Sequence, residues 1–249
     1  MKKIISLFVI AFAFSSCQNE IKVNNPGFQV YKNNALWRAD NATAYLHTDG
    51  SITITGTSDN QNLIVSVSSK SIGKYYLGTT NSLDKVTFNS TTNGSITSYN
   101  TDPVHGVVST ISDVLSPGTG YTADCTMSNG VYNCLASHST TGGSGVGLKV
   151  AIATDTNGAV SYIKVVSTGD NNYFPGDVIT ISGGTTPATF TIVNVRSSNG
   201  IVEITGNSNG TITGSFKCNA LNADTTLTNP DILSLTYGAF YQLPLVVVP

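Results

Sequence analysis

The sequence predicts an all-β protein on two observations. Asn-Gly and Asp-Gly pairs that separate apolar runs are typical of β-hairpins, and the turn-forming pairs of this chain are Asp49–Gly50, Asp59–Asn60, Asn93–Gly94, Asn129–Gly130, Asn157–Gly158, Asn199–Gly200 and Asn209–Gly210. The runs between them alternate apolar and polar residues, as strands with one buried face do. We therefore expect a β-sandwich-like or small barrel host domain that carries an inserted domain rich in β-hairpins.

The N-terminal residues have the pattern of an export signal. Lys2 and Lys3 precede an apolar or small run from Ile4 to Phe14, and small residues then lead to Cys17. This order of charged head, apolar core and small-residue cleavage site is typical of secreted proteins. The run has about half of the roughly 20 residues that a membrane-spanning helix needs. We expect residues 1–16 to be a signal peptide that is removed.

The tetrapeptide Phe14–Ser15–Ser16–Cys17 resembles the bacterial lipobox. The resemblance implies that Cys17 receives a diacylglycerol on its thiol and becomes the first mature residue; the alternative is an ordinary signal peptide with an incidental cysteine. Two or more acyl chains anchor a protein durably, so the expected partner is a membrane, reached through the lipid on Cys17. Residues 17–27 are then a tether. The expected location is the cell envelope, at the periplasmic or surface face of the outer membrane.

The composition argues against some classes of function. Charged residues make up 10% of the chain and its formal net charge is −2, which gives no electrostatic footprint for nucleic acid. The chain has two glutamates, Glu20 and Glu203, and most aspartates stand in turn sequences, where the side chain serves the backbone. We therefore expect no catalytic residue, no cofactor and no bound metal, and hence no enzyme.

A change in composition divides the chain into three parts. Gly-rich, small-residue sequence begins near Thr101–Asp102–Pro103 and ends near Arg196. We expect a first host part over 28–100, an inserted β module over 101–196 and a second host part over 197–249. The strand-like runs 95–99 and 201–204 could pair directly. That pairing would put the insertion at the tip of a host hairpin, where insertions are best tolerated.

Both parts resemble known sequences. The host pattern Trp37–Arg38–Ala39, Gly73–Lys74–Tyr75 and Gly210–Phe216 resembles a family of uncharacterised Bacteroidetes-type lipoproteins, small β domains that end in a Gly-Thr-Phe-like strand. No activity is established for that family, so the resemblance implies no catalytic residue. The inserted module, with Gly118–Tyr121 and Gly169–Tyr173, is similar to Gly-x-Gly-Tyr β modules of phage tail-fibre and surface proteins. That similarity implies a display or spacer element.

The cysteines of the folded part predict one disulfide. A two-residue loop at Asn129–Gly130 places Cys125 opposite Cys134 on a non-hydrogen-bonded pair, where the Cα atoms come closest. An oxidising envelope would then join the two thiols. The alternative, a metal site that includes His138, lacks the further ligands of a tetrahedral zinc. Cys218 alternates in phase with the apolar residues of its strand, so we expect it to be buried and unpaired.

Aromatic residues are the candidates for ligand binding. Tyr132 and Tyr162 lie on predicted hairpins of the inserted module, and Tyr173–Phe174 lies in its longest loop. Aromatic rings offer large apolar faces and are enriched at binding surfaces; the alternative is that these rings pack against the module's own sheet. Asp170 and Asp177 beside them offer hard oxygen ligands, which leaves calcium binding open.

The function that these observations favour is that of a non-enzymatic, lipid-anchored envelope protein. It would present a binding or adhesive β surface to a glycan or protein ligand. The alternatives are a purely structural envelope lipoprotein whose insert is a spacer, and a hydrolase that acts on glycans. A cleft with two carboxylates would favour the hydrolase, and an exposed aromatic patch would favour the binding protein.

We predict that cells fed an alkyne-labelled fatty acid incorporate the label into this protein, because the lipobox-like site directs acylation to Cys17. The substitution Cys17→Ala should abolish the label, measured by in-gel fluorescence, whereas Cys218→Ala should leave it unchanged. Equal labelling of the wild type and of Cys17→Ala would contradict lipidation at this residue.

Overall fold

The computed structural model describes residues 27–228 and 230–248, so the predicted signal peptide, Cys17 and the tether up to residue 26 lie outside the described residues. The all-β prediction is confirmed, because every regular element of the described ranges is a strand. Among these residues no helix is long and apolar enough to cross a membrane. The strands are β1 (Gly27–Lys32), β2 (Ala35–Arg38), β3 (Asn41–Leu46), β4 (Ile52–Ser58), β5 (Gln61–Val67), β6 (Gly73–Leu77), β7 (Lys85–Thr92), β8 (Ser95–Asn100), β9 (Val108–Ile111), β10 (Cys125–Ser128), β11 (Val131–Cys134), β12 (His138–Thr141), β13 (Leu148–Thr154), β14 (Val160–Thr168), β15 (Val178–Ile181), β16 (Ala188–Val195), β17 (Asn199–Ser208), β18 (Thr211–Asn222) and β19 (Ile232–Val247).

Eleven strands form a host sheet that nearly closes on itself. Their order is β2-β1-β19-β3-β4-β5-β7-β8-β18-β17-β6, and β18 also pairs with β19. The six-stranded half consists of β2, β1, β19, β18, β17 and β6, and the five-stranded half of β3, β4, β5, β7 and β8. The halves join at two corners, where Leu245–Val247 pair with β3 and Leu221–Asn222 pair with β8. The result is a sandwich with barrel-like closure.

The host core lies between the two halves and is rich in aromatic rings. Trp37 of β2 packs edge-on against Phe88 of β7, with ring centroids 6.2 Å apart. Phe28 of β1 packs against both Trp37 and Phe216 of β18. Aromatic rings bury large apolar areas, so these contacts hold the halves together. Cys218 lies in the same core and is unpaired, as predicted, and burial raises the pKa of its thiol.

Strands of residues 108–195 form a separate sheet. Its order is β14-β13-β12-β15-β16-β9, and β10 and β11 form a two-stranded hairpin beside it. Within the described ranges, no ladder of paired residues links this sheet to the host sheet. It has its own buried apolar cluster, which includes Val150, Ile152, Ile179, Phe190 and Ile192. We call residues 103–196 the inserted segment.

The two ends of the inserted segment meet at the edge of the host. Ser198 Oγ donates a hydrogen bond to the backbone carbonyl of Asp102 over 2.7 Å. Thr101 is buried, and its Oγ1 accepts a hydrogen bond from the backbone N–H of Val86 over 2.9 Å. Thr101 and Asp102 are therefore structural parts of the host, and the chain leaves and re-enters the host at one point.

The prediction that the insertion lies at the tip of a host hairpin is wrong. Residues 95–99 lie in β8, whose partners are β7 and β18, and residues 201–204 lie in β17, whose partners are β18 and β6. The two runs therefore do not pair, because β18 lies between them. Asn199–Gly200 is part of β17 and does not form a turn.

We predict that replacing residues 103–196 by a short glycine linker leaves a host domain that unfolds cooperatively, because Asp102 and Ser198 are already in contact. The longer deletion of residues 101–196 should be less stable by about 1–3 kcal/mol, since it removes the hydroxyl that satisfies the buried N–H of Val86. Urea unfolding followed by the fluorescence of Trp37 measures both. Non-cooperative unfolding of the shorter deletion would show that the two cores depend on each other.

Candidate binding surface

The hairpin of β10 and β11 is braced by the predicted disulfide. Asn129 and Gly130 both have positive φ, 52° and 76°, as a two-residue type I′ turn requires. This turn pairs Cys125 with Cys134, and the disulfide between them is confirmed. Cys125 packs against Ala151 and Ala153 of β13. Because both alanines are small, the hairpin lies close against the outer face of β13.

Two of the predicted binding residues meet beside this disulfide. The rings of Tyr132 on β11 and Tyr162 on β14 are stacked, with centroids 3.9 Å apart and planes inclined by 11°. Both side chains are half-buried, so the stack packs the hairpin onto the sheet and also reaches the surface. Met127 pairs with Tyr132 across the hairpin and is 61% exposed. We call Met127, Tyr132 and Tyr162 the hairpin patch.

Apolar residues also stand on the other face of the hairpin. Val131 is 62% exposed and Leu135, just after β11, is 97% exposed. Neither alternates in phase with Cys134, so neither can pack against β13. The hairpin therefore has exposed apolar residues on both of its faces.

The other two predicted binding residues do not belong to the hairpin patch. Tyr173 is 1% exposed, and its hydroxyl accepts a hydrogen bond from the backbone N–H of Leu148. This burial leaves the ring of Tyr173 without an exposed face for the ligand contact that the sequence suggested. Phe174 is half-buried and packs against His105, with ring centroids 4.9 Å apart. The structure thus brings together Tyr132 and Tyr162, and separates them from Tyr173 and Phe174.

Asp170 and Asp177 hold the glycine-rich loop that precedes β13. Asp170 Oδ1 accepts the backbone N–H of Val146, and Asp177 Oδ2 accepts those of Ser144 and Phe174. Partial burial opposes ionisation of Asp170, but its hydrogen bonds outweigh that effect and lower the pKa of its carboxyl. In the described residues no three carboxylate, imidazole or thiol groups converge as metal ligands. The two aspartates therefore act on the backbone here.

An Asp–His pair that the sequence analysis missed lies behind the disulfide hairpin. His138 Nε2 is 3.4 Å from Asp124 Oδ2, and His138 Nδ1 is 2.9 Å from the carbonyl of Ser182. Asp124 also accepts the backbone N–H of Ile152. The only sequence signal was the placement of Asp124 next to Cys125, opposite the chain that leads to His138. The pair ties the base of the hairpin to β13 and to the loop after β15.

We predict that the double substitution Cys125→Ser and Cys134→Ser lowers the free energy of unfolding of the inserted segment by about 2.5–3 kcal/mol, since the disulfide closes a loop of about ten residues. Urea unfolding of the full chain, followed by tyrosine fluorescence, measures the loss. The control Cys218→Ala keeps the disulfide. Alkylation of Cys125 or Cys134 in the native, unreduced protein would argue against the bridge.

Comparison with known protein families gives a match to the first part of the chain. A family model described as a domain of unknown function, DUF6252, matches residues 24–122. The matched range covers β1 to β9 and most of the loop between β9 and β10, up to Thr122. No curated protein and no solved structure is significantly similar to the chain. Residues 24–122 are therefore similar to a family whose function is not established.

Proposed function

We propose that the protein is a lipid-anchored protein of the cell envelope, without enzymatic activity, that presents a binding or adhesive surface to a glycan or protein ligand. The observation that carries the proposal is the hairpin patch. A tyrosine stack beside a disulfide-braced hairpin is held in a fixed arrangement before a ligand arrives. Such preorganisation reduces the entropy that is lost on binding.

The disulfide also supports the proposed location. Disulfides persist in oxidising compartments such as the periplasm and the cell surface, and are rare in the cytosol. The bridge between Cys125 and Cys134 thus agrees with export, which the charged and apolar N-terminal run already favours. We propose that Cys17 carries the lipid and that the outer membrane is the membrane that holds it.

The hydrogen bonds made by the aspartates and by His138 of the inserted segment favour a binding protein over a glycan hydrolase. Asp124, Asp170 and Asp177 each accept backbone N–H groups of the inserted segment. His138 has an oxygen facing each of its two ring nitrogens. A glycosidase needs two carboxyl groups that flank a bond of the substrate. Carboxylates that hold loops in place are instead what a rigid display module requires.

A purely structural role, with the inserted segment as a spacer, is the second candidate. Tyr121 is buried, and its hydroxyl donates to the carbonyl of Ile181 and accepts the N–H of Ala188. Its ring lies against Gly184, where an added Cβ would come within 2.2 Å of it. Tyr173 packs in the same manner against the glycine-rich loop that precedes β13. These two buried tyrosines stiffen the segment, which a spacer needs as much as a binding module does.

We predict that the double substitution Tyr132→Ala and Tyr162→Ala weakens ligand binding by the full chain at least tenfold, because central aromatic contacts commonly contribute about 2 kcal/mol or more. Binding is measured on arrays of glycans and of immobilised host and matrix proteins. Val166→Ala, which changes an exposed residue of the same strand as Tyr162, is the matched control. Unchanged binding by the double variant would move the site elsewhere, and no binding by the wild type would favour the spacer.

A further inference from the structure

A row of large side chains crosses the outer face of the six-stranded half of the host sheet. The backbone register aligns Leu36 with Tyr31, and Tyr31 with Thr236 beside Tyr237. Across the next strands it aligns Lys217 with Ile201, and Ile201 with Tyr76. The row, which we call the aromatic stripe, consists of Leu36, Tyr31, Tyr237, Lys217, Ile201 and Tyr76.

The stripe faces away from the core on every strand. The chain neighbours of its residues are buried, for example Trp37 on β2, Val30 on β1 and Val202 on β17. Because side chains alternate between the two faces of a strand, the stripe residues on β1, β2, β6, β17 and β18 point outward, and the bulge in β19 turns Tyr237 to the same face. Leu36, Tyr76 and Tyr237 are all substantially exposed. Five inter-strand spacings give the stripe a length of roughly 24 Å.

Tyr237 is the most exposed ring of the stripe and stands on an unfavourable backbone. It has φ of 50° at a bulge of β19, and it is 78% exposed. A positive φ is rare for a bulky residue, and such strain concentrates at functional sites. The ring of Tyr31 lies 6.0 Å away, at 79° to it. The two rings are therefore nearly perpendicular, and the ring of Tyr237 stands exposed beside that of Tyr31.

Polar rows flank the stripe on both sides. One row consists of Arg38, Gln29, Ala239, Ser215, Glu203 and Lys74, each paired with the next. The other row consists of Ser234, Asn219 and Asn199. The face is therefore a narrow aromatic and aliphatic band between amides, hydroxyls and charged groups.

The charge of this face is opposite to that of the chain. Lys217 lies in the stripe, Arg38 and Lys74 lie at the two ends of the flanking row, and all three are exposed. Glu203 is the one acid of the three rows. The whole chain has a formal net charge of −2, whereas these three rows together carry three cations and one acid. A cationic face favours an anionic ligand.

We propose that the aromatic stripe binds an extended acidic polysaccharide, one whose sugar rings carry carboxylates. The apolar faces of sugar rings stack on the rings of Tyr31 and Tyr237, and Lys217 pairs with a carboxylate between stacked sugars. The length of the stripe suits a chain of several sugars better than a single one. This site goes beyond the proposed function, because none of its residues lies in the inserted segment.

A second copy of this chain fits the face less well than a polysaccharide does. A stable protein interface buries about 800 Å² on each partner and takes about 20–30 residues from each side. The stripe is one residue wide and has charged rows on its flanks, whereas the centre of a protein interface is depleted in charge. A thin extended chain matches that shape.

The test is affinity electrophoresis of the full chain in gels that contain polygalacturonate, alginate or hyaluronate. We expect retardation by at least one of these polyanions, with weakening as salt rises. The methyl ester of polygalacturonate, which keeps the sugar backbone and removes the charge, should retard the protein at least tenfold less than polygalacturonate if that is the ligand. Tyr237→Ala and Lys217→Gln should each weaken retardation at least tenfold.

Matched variants separate binding from folding. Tyr237→Gly relieves the positive φ, so it should keep or raise the Tm while it abolishes retardation. Tyr241→Ala changes an exposed tyrosine of the same strand outside the stripe, and this variant should bind as the wild type does. The proposal fails if no polyanion retards the protein, if Tyr237→Ala and Lys217→Gln leave retardation unchanged, or if Tyr237→Ala converts a dimer into a monomer in sedimentation.

Discussion

The host fold depends on β19, a long strand that pairs with three other strands. β19 pairs with β18 along one edge, with β1 on the other edge, and with β3 after β1 has ended. β19 has to bend as it passes from one half of the sandwich to the other, and it does so at bulges near Tyr237 and Gln242, both with positive φ. Between the bulges, Phe240 is fully buried against Gly214, where a Cβ would come within 2.4 Å of its ring. The same distortion that closes the host sheet therefore places Tyr237 on the outer face.

The inserted segment is stabilised differently, because its glycine-rich loops have few side chains with which to pack. Buried tyrosines replace that packing: Tyr121 and Tyr173 each press a ring against glycine backbone and satisfy backbone hydrogen-bonding groups with the hydroxyl. The disulfide hairpin adds a second layer over Ala151 and Ala153, which are too small to form that layer themselves. Rigid loops and a rigid hairpin follow from covalent and hydrogen-bonded links more than from a large core. That is why the segment can expose Leu135 and Met127 without losing its framework.

Local signals predicted the parts of the structure that depend on neighbouring residues. The Asn129–Gly130 turn fixed the pairing of Cys125 with Cys134, and alternation along β18 placed Cys218 in the core. The loop that contains Asn157–Gly158 shows the limit of prediction from local signals. It is five residues long, because Asp155 accepts the N–H groups of Asn157 and Ala159. A bulge after Ala153 nevertheless leaves Ile152 opposite Ile163, the register that a two-residue loop at Asn157–Gly158 would also give. Partners distant in sequence were not predictable: the position of β18 between β8 and β17 follows from packing of the whole sheet.

The aromatic stripe escaped the sequence analysis for a reason that follows from strand periodicity. Tyr237 is in phase with Leu233 and Leu235, and simple alternation therefore assigns its side chain to the core. The bulge at Tyr237 shifts the phase, so that Phe240 is buried while Tyr237 is exposed, and the second bulge near Gln242 shifts it back, so that Leu243 is buried. Closure of the sheet requires the bulge at this position, and the bulge keeps a strained residue on the surface. Packing does not require a tyrosine at this strained position, because glycine could adopt the same backbone conformation. The strain is most simply explained by what the exposed ring contacts.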